Sequence, residues 1–341
     1  MNAFERVVTV LQGGIPDCVP VFPVLLQQGA AELNVSLPEY FRYGENWAHG
    51  QLRLWQRYGH DCVFGIPHVV EDVTAFGSSL MYFENGAPSV GRMVINRYEE
   101  WFDLAIPDPA ETPELQETLR AIEWLKAQLG GEVPVAGACI APFSLPSMLM
   151  GTEHWMRLLF LEPPELRAEV LPQILDITTA FCVRWANLQL EAGADAIVLA
   201  DGMASAAVIT RNQFIDLALP SVRNTLAQIN GPVIHEGVGD IYPMLDLIAD
   251  TGAVGVILTY QDDLAAAKSE VGHNLVLLGN LNNIDIRNWT PHQMRQKAQI
   301  ALEQGAANGR FILSAQGPEI PLGTAPEVIQ AMIDSAHDWR Y

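Results

Sequence analysis

His235 and Glu236 stand side by side at the end of the apolar run Pro232-Val-Ile and before Gly237-Val-Gly-Asp240. An imidazole beside a carboxylate can bind a metal ion or pass a proton. The glycines that follow let the backbone turn tightly against a ligand. Two readings of His235 stand open. It is a metal ligand or proton shuttle with Glu236 as second ligand or orienter, or it caps the helix that follows. Asp201, closing Ala196-Ile-Val-Leu-Ala200, is an acid/base or N–H-gripping carboxylate, or a helix N-cap. Further polar residues follow other apolar runs: Gln27 and Gln28, His68 and Glu71, Tyr260 to Asp262, Asn280 with Asn282 and Asn283, and Ser314, Gln316 and Glu319. Gln28, His68, Glu71, Asn280, Gln316 and Glu319 are the candidate substrate contacts. His68 reads rather as a solvated loop residue, Glu319 equally as one, and Cys139 rather as a small buried apolar side chain than a ligand.

The elements that must position these residues are eight short runs, apolar on both faces as buried parallel strands are. They are Val19–Leu26, Cys62–His68, Val133–Ile140, Asp195–Asp201, Pro232–Glu236, Ala253–Thr259, Asn274–Asn280 and Arg310–Ser314. Helical patterns fill the gaps: Glu114–Leu129, Glu165–Ala192, Phe214–Ile229, Tyr242–Thr251, Leu264–Val271, Pro291–Gln304 and Pro326–His337. Proline at the entrance and glycine past the end, as at Pro163-Pro164 and Gly193, is the expected asymmetry. Eight strand–helix alternations predict an α/β fold, a (β/α)8 TIM barrel, whose strand C-terminal ends carry the site. The segment 69–132 between the second and third strands is an insertion. Ser79–Phe83, Glu84-Asn85-Gly86 and Val90–Ile95 predict a hairpin there, followed by a helix. One barrel domain over 1–341 is expected, with no second domain.

Composition narrows the function. Nineteen Lys+Arg against forty Asp+Glu leave a net charge of −21. That excludes a nucleic-acid binder, which needs a basic face, and a protein docking on anionic lipid. Lys126, Lys268 and Lys297 are the three lysines, so Schiff-base chemistry has few candidates. No lysine or arginine falls at a predicted strand end, which suits a cation or neutral polar groups better than a polyanion. The uncharged stretch Val133–Thr152 is about a membrane span in length. Its three prolines and two glycines make it a strand and loop instead. The start lacks a basic and then apolar signal sequence. Four scattered cysteines form no CxxC pair. A cytoplasmic protein with reduced thiols is expected.

With these residues placed, the chain resembles the uroporphyrinogen decarboxylase superfamily, which also holds corrinoid-linked methyltransferases. The resemblance runs nearly end to end. Its most specific stretch is Leu190-Glu-Ala-Gly-Ala-Asp-Ala-Ile-Val-Leu-Ala-Asp201. Ile209-Thr-Arg-Asn-Gln-Phe214, Leu219-Pro220, Val233-Ile-His-Glu236, Leu278-Gly-Asn-Leu281 and Ile320-Pro-Leu-Gly-Thr-Ala-Pro-Glu327 follow. Gln28-Gly-Ala-Ala-Glu-Leu33, Val70-Glu-Asp-Val-Thr-Ala-Phe-Gly77 and Ala141-Pro-Phe-Ser-Leu145 are similar to methylcobalamin:coenzyme M methyltransferases. The decarboxylases carry an arginine-rich motif after the first strand. The matching segment here, Pro23 to Glu32, has no arginine.

The resemblance implies methyl transfer between a corrinoid protein or methylcobalamin and a small acceptor such as a thiol or tetrahydrofolate. It also implies a homodimer. In that branch a His-x-Cys pair and a later cysteine bind zinc. Here the histidine is His235, but the cysteine positions hold Gly237 and the Ala315-Gln-Gly-Pro318 segment. A metal, zinc for instance, would have to use His235 and Glu236. Two alternatives accompany methyl transfer. One is a uroporphyrinogen decarboxylase-like enzyme with Asp201 holding pyrrole N–H groups. The other is a non-catalytic ligand-binding barrel that has lost the metal site.

Overall fold

A computed structural model describes every residue except Pro318. Eight strands form one parallel sheet: β1 (Val21–Phe22), β2 (Val63–Phe64), β5 (Val135–Ile140), β6 (Ala196–Ala200), β7 (Val233–Glu236), β8 (Gly255–Ile257), β9 (Val276–Leu281) and β10 (Phe311–Ala315). Their order is β1-β10-β9-β8-β7-β6-β5-β2, so the sheet curls round with β1 and β2 meeting. Six lie inside the predicted runs, and β9 and β10 each extend one residue past theirs, to Leu281 and Ala315. Side chains complete the closure. Gln51 donates to the Leu25 carbonyl at 2.7 Å and accepts from the Phe64 N–H at 3.4 Å. The Asp61 N–H reaches the Val21 carbonyl at 3.0 Å, and the rings of Phe22 and Phe64 stack at 5.6 Å. Among the described residues no helix is long and apolar enough to cross a membrane.

Helices α1 (Ala3–Leu11), α2 (Gly44–Tyr58), α3 (Pro113–Leu129) and α4 (Pro164–Glu191) are the main ones before β6. α1 opens on a capping box of Asn2 and Glu5, which satisfies two orphan N–H groups at once. The segment 145–149 is helical where the sequence suggested a loop, and 28–33, 37–42, 44–58 and 152–160 are further helices. The expected helix from Phe214 begins earlier. Thr210 and Gln213 cap Arg211–Gln213, and a π-turn at Phe214–Ala218 leads into Leu219–Leu226. Pro220 has no N–H for the helical ladder, and the wide turn lies just before it.

The insertion holds the expected hairpin in a different register. β3 (Leu80–Phe83) pairs with β4 (Gly86–Val90), Phe83 opposite Gly86, so Glu84-Asn85 make the turn. Val90 ends the second strand instead of starting it. The backbone bends away after it, and the Gly91 N–H bonds back to Ser79.

Parallel register sorts the barrel side chains into level rows, because partnered residues point to the same side. One row runs Cys139, Leu199, His235 and Val256. Cys139 faces the helix layer, its Sγ 3.4 Å from that of Cys182 on α4. The adjacent row runs Ile140, Ala200, Glu236, Ile257, Leu278 and Ile312. Leu278 and Ile312 line the lumen above α1, so this row faces inward.

β5 outruns short β2, and α4 repairs the gap. Buried Gln189 donates to the Ala138 carbonyl at 2.8 Å and accepts its N–H at 2.9 Å. Gln189→Leu leaves both strand groups without partners. It is expected to cost roughly 2–6 kcal/mol, at about 1–3 per orphaned group, read as a lower urea midpoint at unchanged slope.

Candidate functional site

The inward row brings one candidate to the mouth of the barrel and turns another away. Glu236 is on the lumen row, its carboxylate filling the space beside Gly317. A Cβ at Gly317 would collide with Glu236 Oε1. Burial pushes Glu236 up to about 7. His235 is on the helix-facing row, fully buried, and neither ring nitrogen has a partner. Burial lowers it to about 4, so it is neutral at pH 7. Strand alternation thus separates the His235–Glu236 pair that the sequence placed side by side. The pair does not form the expected metal donor set. Among the described residues no group of three or more His, Cys, Asp or Glu is arranged to hold an ion.

Asp201 follows β6, and its N–H donates to the Glu236 carbonyl at 2.7 Å. It does not cap the next turn with its side chain. Instead its Oδ1 accepts from Ser144 Oγ at 2.6 Å, and the same hydroxyl accepts from the Met203 N–H at 3.0 Å. Its Oδ2 is buried without a partner. Burial raises Asp201 to about 7, against the Ser144 bond. Sequence reasoning missed Ser144 and the role of Gly317. Their visible signal was position alone, each in the loop after a strand.

The loops after β1 and β10 meet across the closure. Gln27 Nε2 donates to Glu319 Oε1 at 2.6 Å, and Gln28 Nε2 donates to the Ile320 carbonyl at 2.8 Å. Both amides thereby spend their donors on the protein. Gln27 Oε1, Gln28 Oε1 and Glu319 Oε2 stay buried and unpartnered. Glu319 is raised to about 7, chiefly by burial. Val24 and Val238, in the loops after β1 and β7, have φ of 42° and 43°. β-branched residues avoid that left-handed region, and such strain clusters at functional sites.

The other candidates lie elsewhere. Asn280 Nδ2 donates to the carbonyls of Thr259 at 3.2 Å and Asp262 at 3.1 Å, tying down the loop after β8. Gln316 Oε1 accepts from the Tyr260 N–H at 3.0 Å. Both are scaffold to the mouth. Glu71 is buried against α3, where Thr118 Oγ1 donates to it at 2.6 Å, beside a separate pocket lined by Arg42, Tyr82 and Glu114. Burial holds its carboxyl well above the usual range. His68 packs edge-on against Phe41 at 5.6 Å, lowered to about 3 by burial.

Two predictions follow from this geometry. Gly317→Ala is expected to destabilise the fold by roughly 2 kcal/mol, as overpacking does. Glu236→Ala in the same chain should recover most of that loss in urea unfolding. Asp201 has a folded pKa of about 7, above its ordinary value. The native state therefore keeps a proton that the unfolded chain releases. Its contribution is full below about pH 4 and is lost as pH rises through 7. Asp201→Asn should match the parent at pH 4 and exceed it at pH 8 by roughly 2–4 kcal/mol, at 1.36 per pKa unit. Melting curves across that range check it.

Known proteins match most or nearly all of this chain. The family model described as uroporphyrinogen decarboxylase (URO-D) matches residues 2–339. A methylcobamide:CoM methyltransferase, MtaA of Methanosarcina barkeri, is 26% identical over 349 residues, covering 98% of this chain and 97% of its own. A uroporphyrinogen decarboxylase of Mannheimia succiniciproducens is 25% identical over 307 residues, covering 84% and 81%. Among solved structures, a methyltransferase from Methanosarcina mazei superposes with a TM-score of 0.89 at 23% identity, covering 98% of each chain. That last likeness shows the fold.

Proposed function

The chain belongs to the uroporphyrinogen decarboxylase family, whose relatives include methyltransferases and decarboxylases, and we propose that it is a methyltransferase of the corrinoid-linked kind. One observation carries the choice. Among the described residues the five that follow each barrel strand include carboxylates, amides and hydroxyls but no lysine or arginine, and the nearest in sequence is exposed Arg287, beside Gly323. A tetrapyrrole with several carboxylates would meet only like charge and buried acceptors there. A methyl acceptor offering N–H or O–H groups would meet Gln27 Oε1, Gln28 Oε1, Glu319 Oε2 and Asp201 Oδ2, all buried and free. Full-length likeness to a methylcobamide:CoM methyltransferase supports the same reading.

The roles follow from these positions. Glu236 faces the lumen at a pKa near 7 and holds or takes the acceptor's proton, the poise a general base needs. Gln27, Gln28 and Glu319 accept from the acceptor's donor groups and orient it. Asp201, fixed by Ser144, does so from the β6 side. A corrinoid, free or on a partner protein, supplies the methyl group. No step is assigned to zinc or to His235, since the residues present do not gather around an ion.

A second reading keeps one specific support. The unpartnered Oδ2 of fully buried Asp201 is placed to accept pyrrole N–H groups, as a tetrapyrrole decarboxylase requires. Methylcobalamin with coenzyme M, other thiols or tetrahydrofolate separates the two. Acceptor-dependent decay of the methylcobalamin spectrum is expected, slowed 10²-fold or more by Glu236→Gln, the usual range for losing a general base. Conversion of uroporphyrinogen to coproporphyrinogen, read by chromatography, would instead establish the decarboxylase. Neither reaction would leave a binding protein.

A further inference from the structure

At the opposite end of the barrel from the mouth, α1 lies across the strand N-termini without filling the space above it. The cavity left there has a volume of about 360 Å³. Its floor is the apolar face of α1: Phe4, Val7, Val8 and Leu11. Its walls come from lumen-facing Ala136, Ile234, Leu278 and Ile312. The alanines are the reason for the void, since Ala136 and its register partner Ala196 stand where larger side chains would meet the helix.

We propose that this cavity is a binding site for a small uncharged apolar molecule, of the size of a short alkanol or a benzene ring. Three observations support it. The volume falls within the roughly 300–1,000 Å³ of ligand pockets and far exceeds ordinary packing voids. An empty apolar space of that size is costly in proportion to its volume, whereas a guest restores the lost contacts. The rim carboxylates are already paired, and an ionised head group buried against this apolar lining is costly without a counter-charge of its own. Asp61 accepts from the Val21 N–H at 2.8 Å, lies 2.8 Å from His337 Nε2 and pairs with Arg6. Asp195 accepts from Lys126 Nζ at 2.5 Å and the Val135 N–H at 2.9 Å. Arg6 and Lys126 are taken up by these two carboxylates, so among the described residues at the rim no free cation offsets the burial of an anionic head group.

The site is independent of the mouth and of the reaction proposed there. Its test is calorimetric titration of the full chain with benzene, 1-octanol and octanoate, paired with thermal melts. Saturable binding of benzene and octanol, with a melting point raised by several degrees and at least tenfold weaker binding of octanoate, is the expected result. Ala136→Leu fills the cavity from the wall and Val8→Phe fills it from the floor. Each should weaken binding tenfold or more while leaving the far-ultraviolet spectrum unchanged. Should Ala136→Leu fail to fold, Val8→Phe decides. No saturable binding by the parent chain, equal binding by the filled variant, or octanoate bound as well as octanol would overturn the proposal.

Discussion

Everything at the mouth of this barrel depends on the two-residue period of a parallel strand locked into a closed sheet. Once Cys139 is packed against Cys182, register carries the same outward sense to Leu199, His235 and Val256. The neighbouring row must then face inward, from Ile140 through Glu236 to Ile312. A one-residue slip of β7 would exchange His235 and Glu236 and rewrite the site. The closure that fixes register is partly a side-chain affair, with Gln51 and Asp61 joining β1 to β2 and Gln189 standing in for a missing strand beside β5.

Burial then sets the chemistry. Glu236, Asp201 and Glu319 are all shifted upward to about 7, each first by desolvation. No cation stands near enough to offset that cost. The mouth therefore holds protons at neutrality that ordinary carboxyls would have released. It presents to a ligand both acceptor oxygens and carboxyl O–H donors, with less negative charge than ordinary carboxyls would carry. Ser144 and Gln27 temper the shifts by donating to the carboxylates but leave one oxygen of each free.

The barrel was legible in the sequence because its signal is local. Each strand is a short apolar run bounded by Pro, Gly or polar residues, and all eight were found. The hairpin was found but its register was not, since Asn85-Gly86 reads as the turn pair while the chain turns at Glu84-Asn85. The site was half legible. Strand-end position picked out Glu236, Asp201 and Glu319. Which of His235 and Glu236 faces inward was not readable, because Val233 and Ile234 before them are equally apolar and the strand is buried on both sides. The Gln27–Glu319 contact joins residues 292 positions apart, a distance that no local pattern encodes.

The contact between Glu236 and Gly317 has a consequence for how such a mouth can change over generations. The carboxylate occupies the volume that any side chain at 317 would need. A larger residue at 317 can appear only if the end of the Glu236 side chain swings aside or if residue 236 has already become shorter. The order of those two changes decides whether an intermediate protein keeps a filled mouth or an empty one.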